Sequence, residues 1–277
     1  MCCHRLDYTH IRLIKNLVIL VLVALMLFVL PDPSWAIFCC VIAALGFWEW
    51  LALTAAPYVT GMVRILVAAV VGIALVALLL GPMAWLGLLT GLLLLVAGVF
   101  WLLVVPFWLV RQWRLTNPVL HFFVGLVLVL PAWSALVSLK SLPPQPWFLL
   151  AVMAVPWIAD IGAYFSGRHF GRRKLAPSIS PGKTLEGVAG AAVCILVYGI
   201  GLTQLGGFFA LLTMPVLLLL LALSITGDLF ESLMKRQAGI KDSSSLLPGH
   251  GGVLDRIDSQ LSVLPVALLL IIIATAR

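Results

Sequence analysis

Long apolar runs separated by short polar breaks set the pattern of this chain. A helix needs roughly 17–25 apolar residues to cross about 30 Å of hydrocarbon. Nine runs fit that description, over residues 11–30, 34–56, 62–80, 83–109, 118–139, 146–166, 185–205, 208–230 and 255–275. They stop where turn-forming residues gather: "PDP" after Leu30, Pro57 to Gly61, Gly81-Pro82, Asn117-Pro118, Pro143-Pro144 and Gly206-Gly207. The pattern predicts an all-α, polytopic integral membrane protein with about nine transmembrane helices. The first run follows basic residues as a signal peptide would, but no small-x-small cleavage site stands at "VLPDPSW", which predicts an uncleaved helix.

Composition excludes an ordinary soluble domain: hydrophobic residues make up 63% of the chain, charged residues 10%, and mean hydropathy is +1.19. Charge supplies the topology. With the N-terminus on the cytoplasmic side, every Lys and Arg except Lys140 and Arg277 falls on the inner face, where such residues collect. An even number of spans between any two of these loops scrambles that partition. The net charge of +7 is then mainly a topology signal that also attracts anionic headgroups, and it calls for no nucleic acid. Cys2, Cys3, Cys39, Cys40 and Cys194 form no CxxC pair and read as small hydrophobes or idle thiols.

Acidic residues divide the chain unevenly. Residues 1–159 hold only Asp7, Asp32 and Glu49, whereas Asp160, Glu186, Asp228, Glu231, Asp242, Asp255 and Asp258 follow. This predicts a scaffold region over 1–145 with about five helices and a chemical region over 146–277 with about four helices and two polar loops, with no linker between them. The loops run from Asp160 to Gly187 and from Ser224 to Ser259, and both face the cytoplasm by the charge argument.

At helical spacing, Ser224, Asp228, Glu231 and Lys235 fall within an arc of about 60°, flanked by Ser232 and opposite Ile225, Leu229 and Leu233. Asp255, Ser259 and Ser262 form a second stripe with Asp258 beside it. Carboxylates near hydrocarbon face a cavity, a partner or an ion. Several aimed at one cavity repel each other unless a cation sits between them, and Mg²⁺ suits a site that leaves room for phosphate oxygens. Around the acids stand Lys174, Lys183, Lys235, Arg236, Lys241 and Arg256, and "PGHGG", ending in His250, Gly251 and Gly252, supplies backbone N–H groups that can approach an anion. Such a set equips a site for phosphoryl or nucleotidyl transfer.

"SPGKT", Ser180 to Thr184, looks like the tail of a P-loop, but Pro177 stands where the first glycine belongs, and no strand is expected ahead of it in a helical membrane protein. Thr184 is instead a candidate N-cap at an anion-binding helix start. Plainer readings stand beside these. The aspartates can pair with Lys235, Arg236 and Arg256 as a structural network; Arg172, Arg173 and Lys174 can simply fix topology; Asp242 can cap a turn. His250 is either a base or a binding contact. Glu49 is read as paired with Arg64 near the inner edge, His121 as interfacial, and Gly87 with Gly91 as a GxxxG packing motif.

The second loop carries Ser232, Lys235-Arg236, Lys241-Asp242, Ser244, Pro248, His250-Gly251-Gly252, Asp255-Arg256 and Asp258 at set spacings. In this it resembles the phosphatidate cytidylyltransferases, or CDP-diacylglycerol synthases, and "GAYFSGRHFGRRKLAPSISPGKTLEG" resembles that family's second region. The chain departs from the pattern at Ile161, where Ser or Thr is expected. The resemblance implies Mg²⁺-dependent transfer of CMP from CTP to phosphatidic acid, releasing pyrophosphate, by a bacterial inner-membrane enzyme that often works as a homodimer. It implies metal held by Asp228, Asp255 and Asp258, with Ser232 and Lys235 beside it, and leaves a second, monovalent cation open. Arg236, Lys241, His250, Gly251, Gly252, Arg256, Lys183, Thr184 and Lys174 are the remaining candidates for substrate contacts. Two other functions compete: a CTP-dependent lipid kinase acting on a polyprenol-type alcohol, and an ion or phosphate transporter. The absence of DGxxAR and DDxxD motifs sets aside CDP-alcohol phosphotransferases and prenyl transferases.

Overall fold

A computed structural model describes residues 21–54, 59–206, 213–246 and 251–275. Helix α1 covers 21–29, the described part of the first predicted span. It is followed by α2 (Asp32–Thr54), α3 (Gly61–Leu79), α4 (Met83–Val99), a π-helical turn (Phe100–Val104), α5 (Val105–Arg111), α6 (Pro118–Lys140) and α7 (Trp147–Phe170). A hairpin of β1 (Lys174–Ala176) and β2 (Ser180–Thr184) leads into α8 (Leu185–Leu205), α9 (Met214–Gln237) and α10 (Leu254–Thr275). Among the described residues eight helical stretches are long and apolar enough to cross a membrane, α4, the π turn and α5 making one of them.

The chain differs from the apolar-run reading in three places, each with a local cause. The fourth run contains a π turn just ahead of Pro106, whose missing N–H breaks regular helical bonding. The eighth run, expected over 208–230, is helical from Met214 to Gln237; its last turns are polar yet remain helix, and an apolar window ends too early there. The hairpin is a strand pair where none was expected, with Lys174 opposite Thr184 and Ala176 opposite Ser180. Its residues are mostly polar or exposed, so no apolar alternation announces it.

Small residues set the closest helix contacts. At Gly125 on α6 an added methyl group would run into Trp50 and Phe47 of α2, and the Trp50 indole N–H donates to the His121 carbonyl at 2.7 Å. His121 is buried within the protein, with its ring against the Leu115 carbonyl at 3.1 Å. Helices α7 and α8 meet through Gly162 against Ala191 and Cys194, and through Gly190 against Ser166. Helices α9 and α10 meet at Gly227, where a Cβ would stand 2.7 Å from the Asp258 carbonyl and the Ser262 hydroxyl. Two backbone-directed bonds close that seam, from Ser259 Oγ to the Ser224 carbonyl at 3.1 Å and from Ser262 Oγ to the Leu223 carbonyl at 2.8 Å. Methyl groups added at Gly87 and Gly91, by contrast, would meet nothing within 4 Å, so the GxxxG pair joins no helices among the described residues.

Phe230, 2% exposed, fixes the rotation of α9. Its ring stacks with Trp50 of α2 at 6.2 Å and meets Phe100 and Trp101 of the π turn, both at 5.9 Å, and Trp108 of α5 at 5.3 Å. With that face held in an aromatic socket, the acidic stripe of α9 turns toward α7 and α10. At the opposite end of the bundle Lys140 donates to the Leu30 carbonyl at 2.6 Å and pairs with Asp32 at 3.3 Å.

Gly125→Ala is expected to destabilise the protein by about 1–3 kcal/mol through overpacking, read as a lower thermal midpoint in detergent. Gly87→Ala is the matched control and should leave the midpoint unchanged or slightly raised.

Candidate active site

Side-chain bonds gather the C-terminal ends of α2, α5, α7 and α9 with the hairpin and the N-terminal ends of α6, α8 and α10. Gln112, which ends α5 in a left-handed conformation (φ 49°), donates from its side chain to Ser178 Oγ at 2.8 Å, and Gln237 donates to the Trp113 carbonyl at 2.9 Å. Arg236 reaches the Ile179 carbonyl at 3.4 Å. The four residues expected to carry the chemistry, Asp228, Lys235, Asp255 and Asp258, stand at this end, as does Lys183, a candidate substrate contact.

The hairpin delivers Lys183. Its base is pinned by Glu186, in the first turn of α8, which accepts from the backbone N–H groups of Arg172 at 3.0 Å and Arg173 at 3.1 Å and pairs with the Arg173 side chain at 3.0 Å. Thr184 caps α8 as expected, its Oγ1 accepting from the Gly187 N–H at 3.1 Å. Lys174 lies exposed across the hairpin from Thr184. From this frame Lys183 Nζ contacts Asp228 at 2.5 Å, and Ser232 Oγ donates to the other Asp228 oxygen at 3.2 Å. Asp160 of α7 and Asp258 of α10 lie within electrostatic reach of both Lys183 and Asp228. One ammonium group thus stands among three carboxylates from three helices.

Asp255 belongs to an adjoining cluster. Lys235 Nζ bridges Glu231 Oε2 and Asp255 Oδ1, each at 2.7 Å. The other Asp255 oxygen accepts from Ser243 N at 2.9 Å, Ser243 Oγ at 3.0 Å and Gly252 N at 2.8 Å. Gly251 has φ +78°, and a side chain there would also collide with Asp255, which accounts for glycine on both steric and conformational grounds. Glu231, 4% exposed, connects the two clusters: Asp255 and Asp258 are both within its electrostatic reach, and its Oε1 has no hydrogen-bond partner. Arg236, Lys241 and Arg256 are exposed around this network. His250 lies outside the described residues.

Sequence spacing placed Glu231 on the polar stripe without giving it a role, and gave Asp160 none. It assigned Glu49 to Arg64, and this is corrected: Glu49 lies on the same buried side of α2 as Gly46, Phe47 and Trp50. Its carboxylate accepts from Ser243 Oγ at 3.2 Å, Ser244 Oγ at 2.6 Å, Val253 N at 3.0 Å and Leu254 N at 2.6 Å. No spacing rule within one helix could have found that contact, because its partners lie about 200 residues away.

The network has the donor chemistry of a cation site. Five carboxylates, of Asp160, Asp228, Glu231, Asp255 and Asp258, adjoin two internal lysines, and Lys183 occupies the place where a positive charge is required. Among the described residues no three Asp, Glu, His or Cys side chains are already drawn together as a closed ligand set; the lysines hold the acids in two groups. Beside Lys183 a cleft of about 210 Å³ lies between α7, β2, α8 and α9. Asp160, Lys183 and Thr184 give it a polar part, and Ala163, Ala191 and Ile225 an apolar one.

Comparison with known proteins identifies the family. The pattern of the Cytidylyltransferase family matches residues 10–274. A phosphatidate cytidylyltransferase of Pseudomonas aeruginosa is 43% identical over 268 residues, spanning 92% of this chain and 94% of that one. Its namesake from Haemophilus influenzae is 34% identical over 283 residues, with 92% and 95% spanned. One from Bacillus subtilis is 47% identical over 124 residues, or 43% of this chain and 45% of its own. Matched along nearly its whole length, the chain belongs to the cytidylyltransferase family.

Proposed function

We propose that this protein transfers CMP from CTP to phosphatidic acid, forming CDP-diacylglycerol and releasing pyrophosphate. The observation that carries the reading is the network of five carboxylates and two lysines, built by α7, α9, α10 and the hairpin beside a part-polar, part-apolar cleft. A lipid acceptor needs apolar surroundings for its tails, and a nucleotide needs a polar site. Their reaction belongs at a boundary between the two. The basic residues collected at this end of the bundle support a cytoplasmic orientation, hence a site open to CTP from the cytoplasm of a bacterial cell.

In the proposed reaction a phosphate oxygen of phosphatidic acid attacks the α-phosphorus of CTP. The new P–O bond forms as the bond to the bridging oxygen of the β-phosphate breaks, and the electron pair leaves with pyrophosphate. The nucleophile is already an ionised phosphate, so no side chain has to remove a proton from it. Lys183 and Lys235, each held by acids, are placed to receive negative charge from phosphate groups, and Arg236, Lys241 and Arg256 extend the positive rim. The Gly251-Gly252 turn serves the site through Asp255, which accepts the Gly252 N–H, so the phosphate contacts fall to the basic side chains. Asp228 and Asp258, with Asp160 beside them, would hold Mg²⁺, and Asp255 would hold the Lys235 side of the site. When bound, the ion supplies charge neutralisation and orientation of the phosphates.

Purified protein supplied with labelled CTP, phosphatidic acid and Mg²⁺ should yield a lipid-soluble cytidine product and pyrophosphate; release of CDP with a phosphorylated alcohol would instead identify a lipid kinase. Chelation of divalent ions should abolish turnover, and Mg²⁺ should restore it. Asp228→Asn, Asp255→Asn and Asp258→Asn are each expected to lower kcat per folded molecule by about 10²–10³-fold, the scale of losing one electrostatic contact to a reacting group, and Asp255→Asn, which also weakens the pair with Lys235, should lower the thermal midpoint as well. Cys194→Ser, in the α7–α8 seam, should leave the rate unaltered. Full Mg²⁺-dependent activity in all three Asn variants rejects the assignment.

A further inference from the structure

Among the described residues Glu49 is the most deeply buried acid of the scaffold helices, at 0% exposure, and the transfer chemistry makes no use of it. A carboxylate at such a position requires compensation from the protein. Here the compensation is four donors, and all of them belong to the segment that carries the Gly-Gly-x-x-Asp sequence. Oε1 accepts from Ser244 Oγ and Val253 N, and Oε2 from Ser243 Oγ and Leu254 N. Val253 and Leu254 stand at the start of α10, so Glu49 serves as a helix cap supplied by a distant helix, and the positive end of α10 stabilises its charge.

The contacts continue into the site. Ser243 Oγ lies 3.2 Å from Glu49 Oε2 and 3.0 Å from Asp255 Oδ2, so one hydroxyl joins the two carboxylates. Asp255 in turn grips Lys235, which grips Glu231. Gly252 is enclosed by the same groups: a Cβ there would run into Ser243 Oγ and stand 2.5 Å from Glu49 Oε2. The second glycine of the pair thus has a cause separate from that of the first, namely the close approach of Glu49.

We infer that Glu49 is a positioning residue for the transfer reaction: from α2 it holds Ser243, Ser244 and the start of α10 at Val253 and Leu254 so that Asp255 and Lys235 meet in register. This rests on the function proposed above. The residue touches no reacting atom; it acts through Ser243 and Asp255.

The test uses the full-length protein in detergent or lipid nanodiscs. Glu49→Gln keeps the size of the side chain but turns one oxygen into an NH₂ group. Each oxygen now accepts a backbone N–H, so either amide orientation sets a donor against a donor. The expected result is a fall in kcat of about 100-fold, the scale of a 1 Å misplacement, with KM for CTP within about threefold of wild type. Amide hydrogen exchange at Val253 and Leu254 should accelerate in the same variant. Glu49→Asp, which keeps both acceptor oxygens, should recover at least about tenfold of the lost rate, which a simple need for bulk would not produce. If Glu49→Gln does not fold, Ser243→Ala takes its place, since it removes the shared hydroxyl and leaves the α10 cap intact: kcat should drop with an unchanged thermal midpoint. Wild-type kcat per folded molecule in Glu49→Gln, or in Ser243→Ala where that variant carries the test, overturns the inference. So does unchanged exchange at Val253 and Leu254. A wild-type protein inactive on CTP and phosphatidic acid would refute the functional reading instead, and the exchange measurement would still decide whether Glu49 holds the segment.

Discussion

A charged group on a membrane helix has to find its counter-charge or its hydrogen bonds within the protein, because the surrounding hydrocarbon offers neither. In this chain that constraint organises one whole end of the bundle. Asp228 meets Lys183 from the hairpin, Asp255 and Glu231 meet Lys235 on α9, and Glu186 meets Arg173 and two backbone N–H groups. Apart from Glu231 with Lys235, which lie one turn apart on α9, these compensations join different elements, so the electrostatics also fix how the helix ends are arranged. A site rich in acids is thereby kept folded before any substrate arrives.

Apolar packing supplies the complementary half of the arrangement. The socket of Trp50, Phe100, Trp101 and Trp108 around Phe230 turns α9 about its axis, and Gly227 brings that helix against α10 closely enough for Ser259 and Ser262 to bond its backbone. Trp50 serves both parts of the structure, since it borders the socket and also anchors α6 through the His121 carbonyl. The scaffold helices therefore contribute orientation to the chemical end, and α2 does so twice, once through an aromatic ring and once through a carboxylate.

The sequence alone made most of the fold legible. Apolar run lengths located the helices, and the Lys and Arg distribution predicted which ends share a side, a grouping that agrees with the bonds among Gln112, Ser178, Gln237 and Trp113. The polar stripe of α9 was readable because its members are neighbours on one helix. What escaped was contact between segments distant in sequence. The partner of Glu49 could not be read from its own helix. Nor could the division of the acids, with Asp228 on Lys183 and Asp255 on Lys235, since spacing reports the face of a helix and not which neighbour covers it. The hairpin escaped for another reason: its polar residues lie outside the apolar pattern that marks the helices. Gly87 and Gly91 show the reverse failure, a motif with no contact to serve it among the described residues.

The glycine seams divide the chemical end mechanically. Helices α7 and α8 interlock through Gly162, Gly187 and Gly190, and α9 and α10 through Gly227, at distances that leave no slack. Between the two pairs the chemical end has longer side-chain links, such as Lys183 to Asp228 and Arg236 to Ile179, together with the Gln260 amide reaching the Met153 carbonyl, while at the other end Gly199 of α8 seats Met214 and Leu217 of α9. Widening the cleft along this boundary stretches a few swinging side chains, whereas widening it inside either pair separates backbones in contact. At the chemical end each helix pair is therefore the stiffer unit, and room for a bulky molecule comes at least cost from the joint between them, hinged on the Gly199 contact at the far end.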